Sequence, residues 1–225
     1  RIIKFEDKRV SLVQIEHDVL AHEWVADAYC GLHPQHKRLA AWIALNADGI
    51  RALREQGRAA VMAVLKKHTA ATQDTIALPR YWRFAAELPR NAQAKIAAAD
   101  FQTAFSEAQT APGWPLEMEN PAENEWQISS RVPLDLVYFG GHFAQFPLVL
   151  GVVELQWVRD LAARFDWGRQ SIVRVENLKY QQFLRPNDEA RVHLKYDADK
   201  NKLTFRLENT DAVCASGRLV FGGFQ

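Results

Sequence analysis

A histidine set among glycines and aromatics, in the run Gly140-Gly141-His142-Phe143, stands twelve residues ahead of Glu154 and fourteen ahead of Gln156. An imidazole titrates near neutral pH, so His142 can exchange a proton under ordinary conditions. A lone histidine in a strand-turn is more often structural. A carboxyl such as Glu154 can release a proton, whereas the amide of Gln156 can only donate a hydrogen bond. Residues two positions apart on a regular helix lie about 200° around it, so Glu154 and Gln156 cannot face one substrate together. Two arrangements stay open. In one the helix is offset and Glu154 faces inward; in the other Gln156 faces inward and Glu154 is a solvated surface carboxylate. Far upstream, Lys95 offers a mobile ammonium, a point donor suited to charge building on oxygen. His17, His22, His33, His36, His68 and His193 form no metal-ligand spacing with Cys30 and Cys214.

The elements that must position these groups fall into two halves. In the first, residues 2–5 and 9–12 read as hairpin arms and 13–21 as a short amphipathic helix. Strands are expected at 25–32, 39–45 and 81–85, a long helix from about 47 through 67, and a last helix at 97–105. In the second half a strand and irregular region at 126–139 leads to the His142 run. One helix follows at about 151–165, with Gly151 opening it and Val152, Leu155, Val158, Leu161 and Ala162 on one stripe. Strands alone follow, at 171–178, 189–196, 202–208 and 212–221. Between the halves, residues 106–125 carry three prolines and no apolar period, which reads as an extended linker. The fold class expected is therefore α+β, in two domains, 1–105 and 126–225.

Composition sets the outer limits. The 225 residues are 48% apolar and 24% charged, ordinary for a globular chain. Net charge is +1, which does not advertise nucleic-acid binding. No apolar run is long enough for a membrane span, no signal core opens the chain, and two cysteines in strand-like runs read as reduced thiols. A cytoplasmic protein is expected.

The run Lys8-Arg9-Val10-Ser11-Leu12-Val13-Gln14-Ile15-Glu16, with Val25-Ala26-Asp27-Ala28 after it, resembles the start of the C-terminal subdomain of AMP-forming acyl-CoA synthetases. Leu88-Pro89-Arg90-Asn91-Ala92-Gln93-Ala94-Lys95-Ile96 looks like that family's closing lysine motif, with Ala94 where glycine is usual. The resemblance covers about residues 1–105. It implies that Lys95 stabilises charge during adenylation in a complete ligase, which would use ATP and Mg. The Gly/Ser/Thr-rich phosphate loop of that family is not in this sequence, so the chain looks like a piece of a longer protein and should not adenylate by itself.

The run from Phe139 to Val153, including His142, Phe143, Pro147, Gly151 and Val152, resembles the active-site segment of hotdog-fold 3-hydroxyacyl-(acyl carrier protein) dehydratases. The run Asn177-Leu178-Lys179-Tyr180-Gln181-Gln182-Phe183-Leu184-Arg185-Pro186-Asn187-Asp188 matches the same family. The likeness spans about 126–222 and is nearest to the branch found beside aryl-polyene pigment genes. It implies an antiparallel sheet wrapped around a central helix, and loss of water from a 3-hydroxyacyl thioester. His142 would be the base at C2, the N–H of Gly151 would hold the thioester carbonyl, and Phe143, Pro147 and Val152 would line the site. The family's acid usually falls at the position of Gln156, which leaves Glu154 or Gln156 for that role. It further implies an acyl carrier protein delivering a phosphopantetheine thioester, a homodimer through the hotdog domain, and no resident metal or redox cofactor. If the acid is lost, the alternatives are a binding partner completing another dehydratase in a heterodimer, or a thioesterase on the same fold.

Overall fold

The computed structural model describes residues 1–141 and 143–224; His142 lies outside the described residues. Contacts divide the chain into two compact units. The first is Arg1–Thr110 together with Pro133–Pro147, and the second is Ala111–Val132 together with Leu148–Gln225.

In the first unit, β1 (Ile2–Phe5) and β2 (Lys8–Ser11) form an antiparallel hairpin in which Ile2 faces Ser11. Glu6 and Asp7 turn it at φ 46° and 63°, the left-handed pair that matches strand twist in a tight hairpin. Ser11 then caps α1 (Leu12–Leu20), its Oγ accepting from the Gln14 N–H at 3.2 Å. Leu12, Ile15 and Val19, at helical spacing, are the buried face of α1. A three-stranded sheet follows in the order β3 (Val25–Leu32), β4 (Leu39–Leu45), β5 (Tyr81–Ala85). The β3–β4 pair is antiparallel, whereas β4 and β5 are parallel and need a crossover. That crossover is two helices, α2 (Ala47–Gln56) and α3 (Arg58–Ala70), and not the single long helix expected from the sequence. Gly57 breaks it: at φ +91° and ψ 166° it lies in a region that side chains rarely enter, so the helical ladder stops and restarts. Asn46 caps α2, its side chain accepting from the Gly49 N–H at 3.0 Å. The core joins α1 to α2, α3 and the sheet through Ile15, Ile43, Leu53, Leu65, Trp82 and Phe84. α4 (Ala98–Ser106) packs Phe101 and Phe105 onto Ala40 of the sheet.

The second unit is one antiparallel sheet and one long helix. β6 (Glu119–Ala122) lies inside the segment expected to be linker. It pairs with β7 (Glu125–Arg131), because Asn120 donates to the carbonyls of Ala122 and Glu125 and tightens the connection. α5 (Gly151–Ala162) comes next, then β8 (Ile172–Tyr180), β9 (Glu189–Asp197), β10 (Lys202–Glu208) and β11 (Val213–Phe221). The spatial order is β6-β7-β9-β10-β11-β8, so β8 is an edge strand. Burial alternates along β10, with Leu203, Phe205 and Leu207 turned to the core. Val153, Trp157, Val158 and Leu161 are the buried stripe of α5. One long helix with one antiparallel sheet, together with a mixed α/β first unit, is the α+β arrangement expected, with a hotdog-like second unit. Cys30 and Cys214 are both buried free thiols. No helix among the described residues is long and apolar enough to cross a membrane.

Candidate functional site

Glu154 is the unusual residue. It sits in the first turn of α5, where its N–H reaches the Leu150 carbonyl at 3.1 Å, yet it is only 2% exposed. The sequence allowed a solvated carboxylate here, and the structure places the opposite. Helical phase explains this, because Glu154 lies between Val153 and Trp157 on the buried face. Loss of water around the carboxyl pushes its pKa up to about 8, against the lowering effect of one hydrogen bond from the Leu184 backbone. A second link ties the same stretch: the Val149 N–H donates to the Leu184 carbonyl at 2.8 Å. At neutral pH the group therefore holds its proton.

The side chains around Glu154 carry its influence. Tyr180, at the end of β8, has its phenol pKa raised by burial and then by the Glu154 charge. Its ring lies over the start of α5: a Cβ built on Gly151 would stand 2.6 Å from the Tyr180 Cε1 and Cζ atoms. A side chain at 151 would therefore have to shift the Tyr180 ring. Buried Cys214 is pushed to about 11, mainly by burial, with Glu154 among the charges that raise it. It is thus a thiol and not a nucleophilic thiolate.

The other residues singled out from the sequence fall elsewhere. Gln156 is exposed and donates to Asp160 Oδ1 at 2.8 Å, on the solvent side of α5. Val152 is exposed at the same helix end, among the backbone N–H groups that a helix leaves unpaired. In the first unit, Pro147 is buried, whereas Phe143 is exposed and holds φ +62°, a left-handed conformation that costs a bulky side chain energy. His142 is outside the described residues. Lys95 is exposed on a turn built by Asn91, whose Oδ1 accepts from the N–H groups of Gln93 at 2.9 Å and Lys95 at 3.0 Å. Ala94 stands at φ +59°, where glycine would be unstrained. Arg90 clamps the same turn, paired with Asp27 through both carboxylate oxygens at 2.6 and 2.8 Å and donating to the Ala94 carbonyl at 2.7 Å. Among the described residues no group of three or more His, Cys, Asp or Glu could hold a metal ion.

Tyr180 and the Leu184 N–H went unassigned in the sequence although both lie in the 177–188 run. Nothing in a linear spacing reveals that this run folds back onto the first turn of α5.

Residues 118–218 match the family model ApeI-like, described as ApeI dehydratase, over somewhat less than half of the chain. No curated protein matches the sequence. Among solved structures the chain is similar to the dehydratase heterocomplex ApeI:P from Xenorhabdus doucetiae, at 29% identity and TM-score 0.44, covering 48% of this chain and 96% of that one. An uncharacterized protein from Erwinia carotovora subsp. atroseptica is similar at 27% identity and TM-score 0.44, covering 50% and 96%. A Brucella canis acyl-CoA synthetase is similar at 22% identity and TM-score 0.40, covering 47% of this chain but only 19% of that protein. The chain thus spans about a fifth of the synthetase it resembles.

Proposed function

We propose that residues 126–225 remove water from 3-hydroxyacyl thioesters presented on an acyl carrier protein, as in fatty-acid or aryl-polyene biosynthesis. His142 takes the C2 proton, the electron pair of that C–H bond forms the C2–C3 double bond, and the C3–O bond breaks. The proton of the Glu154 carboxyl goes to the departing hydroxyl, so that water leaves rather than hydroxide. Gly151 holds the thioester oxygen at the N-terminus of α5, where unpaired N–H groups and the helix dipole favour negative charge. Phe143, Pro147 and Val152 line the acyl path. Enclosed as it is, Glu154 meets substrate when the acyl chain displaces a packed side chain, and Tyr180, about half exposed and lying over Gly151, is placed to give way.

One observation carries this reading: a carboxyl only 2% exposed, where burial pushes its pKa up, within the family-matched residues. Gln156 is then a solvent-side residue and not the orienting amide. On the same reading the domain limits are 1–105 and 126–225 with 106–125 between them. Lys95 serves adenylation only in a complete ligase. The functional unit is a homodimer through the second half, or a heterodimer with another dehydratase of the kind that the Xenorhabdus doucetiae complex displays. The test is the pH dependence of kcat/KM with a 3-hydroxyacyl carrier substrate, followed by enoyl product formation. The rate should rise through the imidazole range near pH 6–7 and fall again near pH 8 as Glu154 ionises. A rate still rising above pH 9 would remove Glu154 as the acid.

A further inference from the structure

The joint between α2 and α3 grips the segment Pro133–Pro147 at two places, through consecutive residues. The first grip is Asp135, only 5% exposed. Its Oδ1 accepts from Arg58 Nε at 2.6 Å, and its Oδ2 accepts from Arg83 Nε at 2.9 Å and from the Phe84 N–H at 3.0 Å. Both arginines are held in turn: Arg58 donates to the Trp82 carbonyl and Arg83 to the Ala104 carbonyl at 2.7 Å. A carboxylate buried with this set of donors fixes a backbone position, because every alternative leaves charge unpaired away from water. The second grip is steric. A Cβ on Gly57 would stand 2.0 Å from the Ala144 carbonyl oxygen and 3.2 Å from the Gln145 Cα, so the chain at 144–145 lies directly on the Gly57 backbone. Just before the first grip, Leu134 belongs to the same core as Val61, Leu65 and Trp82; between the grips, the Val137 N–H donates to the Gln109 carbonyl at 3.0 Å.

By sequence this is the stretch that carries His142, and it is anchored to residues 57, 58 and 83, which lie outside the residues that the dehydratase family model matches. We propose that Gly57, Arg58 and Arg83 are positioning residues for the dehydratase. They hold the chain at Asp135 and at 144–145, on either side of residue 142 in the sequence. The proposal rests on the dehydratase reading for its functional meaning, and on the anchoring alone for its physical content.

The test uses the full chain with labelled histidine, the His142 imidazole signal being assigned by its loss in His142→Gln. Asp135→Asn, Arg58→Gln and their double variant are compared with wild type. The expected result is a moved His142 signal with an altered titration midpoint, and kcat reduced by about tenfold to a hundredfold with KM within about twofold. The double variant should lose no more than either single one, since both act through the same carboxylate. Arg83→Lys should retain part of the rate by keeping one donor. Gly57→Ala supplies the steric arm, and if it fails to fold the Asp135 and Arg58 variants decide. A His142 signal and titration unchanged in folded Asp135→Asn would overturn the proposal. A wild-type chain without dehydration would refute the functional reading, while the imidazole signal would still show whether the anchor holds the loop.

Discussion

At the scale of single residues, the chain's clearest departure from ordinary folding is a carboxyl kept from water at a helix start. The unfolded chain releases the Glu154 proton near the ordinary value of 4.5, whereas the folded chain keeps it to about 8. Between those values the folded state binds more protons than the unfolded one, so stability falls as pH rises through that window. The loss approaches about 4–5 kcal/mol by pH 8 on this shift, at 1.36 kcal/mol per unit. Glu154→Gln should remove it: urea unfolding at pH 8 should show a more stable variant, and at pH 4 a difference under about 1 kcal/mol. A wild-type stability flat from pH 5 to 8 would contradict the burial assigned to Glu154. The resemblance to the dehydratases narrowed this position to two residues and could not go further. Glu154 and Gln156 differ by the rotational setting of α5, and that setting comes from Trp157, Val158 and Leu161 packing inward together.

Elements were the most legible level. The hairpin at the start, α1, the three strands of the first sheet and every strand after α5 lie within a few residues of where periodicity and turn residues put them. Two exceptions have physical reasons. Gly57 ends α2 because a backbone at φ +91° cannot continue a helix, and the apolar period runs across it unbroken because α3 faces the same core. β6 hides in a proline-bearing stretch, where edge position permits a strand that composition disfavours. The start of α5 supplies a prediction of its own. Gly151→Ala places a methyl against the Tyr180 ring, and should cost about 1–3 kcal/mol in thermal or chemical unfolding, with Tyr180→Ala restoring most of it. No loss in Gly151→Ala would show that the ring does not lie there. β8 supplies another. It is an edge strand showing Val173, Val175, Leu178 and Tyr180 to solvent, an open template for strand pairing. Val173→Lys should convert a dimer to monomer in sedimentation with the fold intact, and a persistent dimer would place the interface elsewhere.

For the whole molecule, composition shifts along the chain, with net charges of +3, −4 and +2 over residues 1–110, 111–125 and 126–225, whereas the compact units interleave. The placing of Pro133–Pro147 was not readable from composition. Asp135 meets Arg58 and Arg83 across 77 and 52 residues of sequence, and no local pattern reports a contact of that range. Both readings of the dehydratase acid now reduce to one comparison. Turnover of a 3-hydroxyacyl carrier thioester should be measured for wild type, Glu154→Gln and Gln156→Glu at pH 7, each checked for folding. With Glu154 as the acid, Glu154→Gln should lose about 10²–10⁴-fold in kcat and Gln156→Glu should stay within about twofold. Full activity in Glu154→Gln, with a faster Gln156→Glu, would assign the acid position to residue 156 and contradict the mechanism built on Glu154.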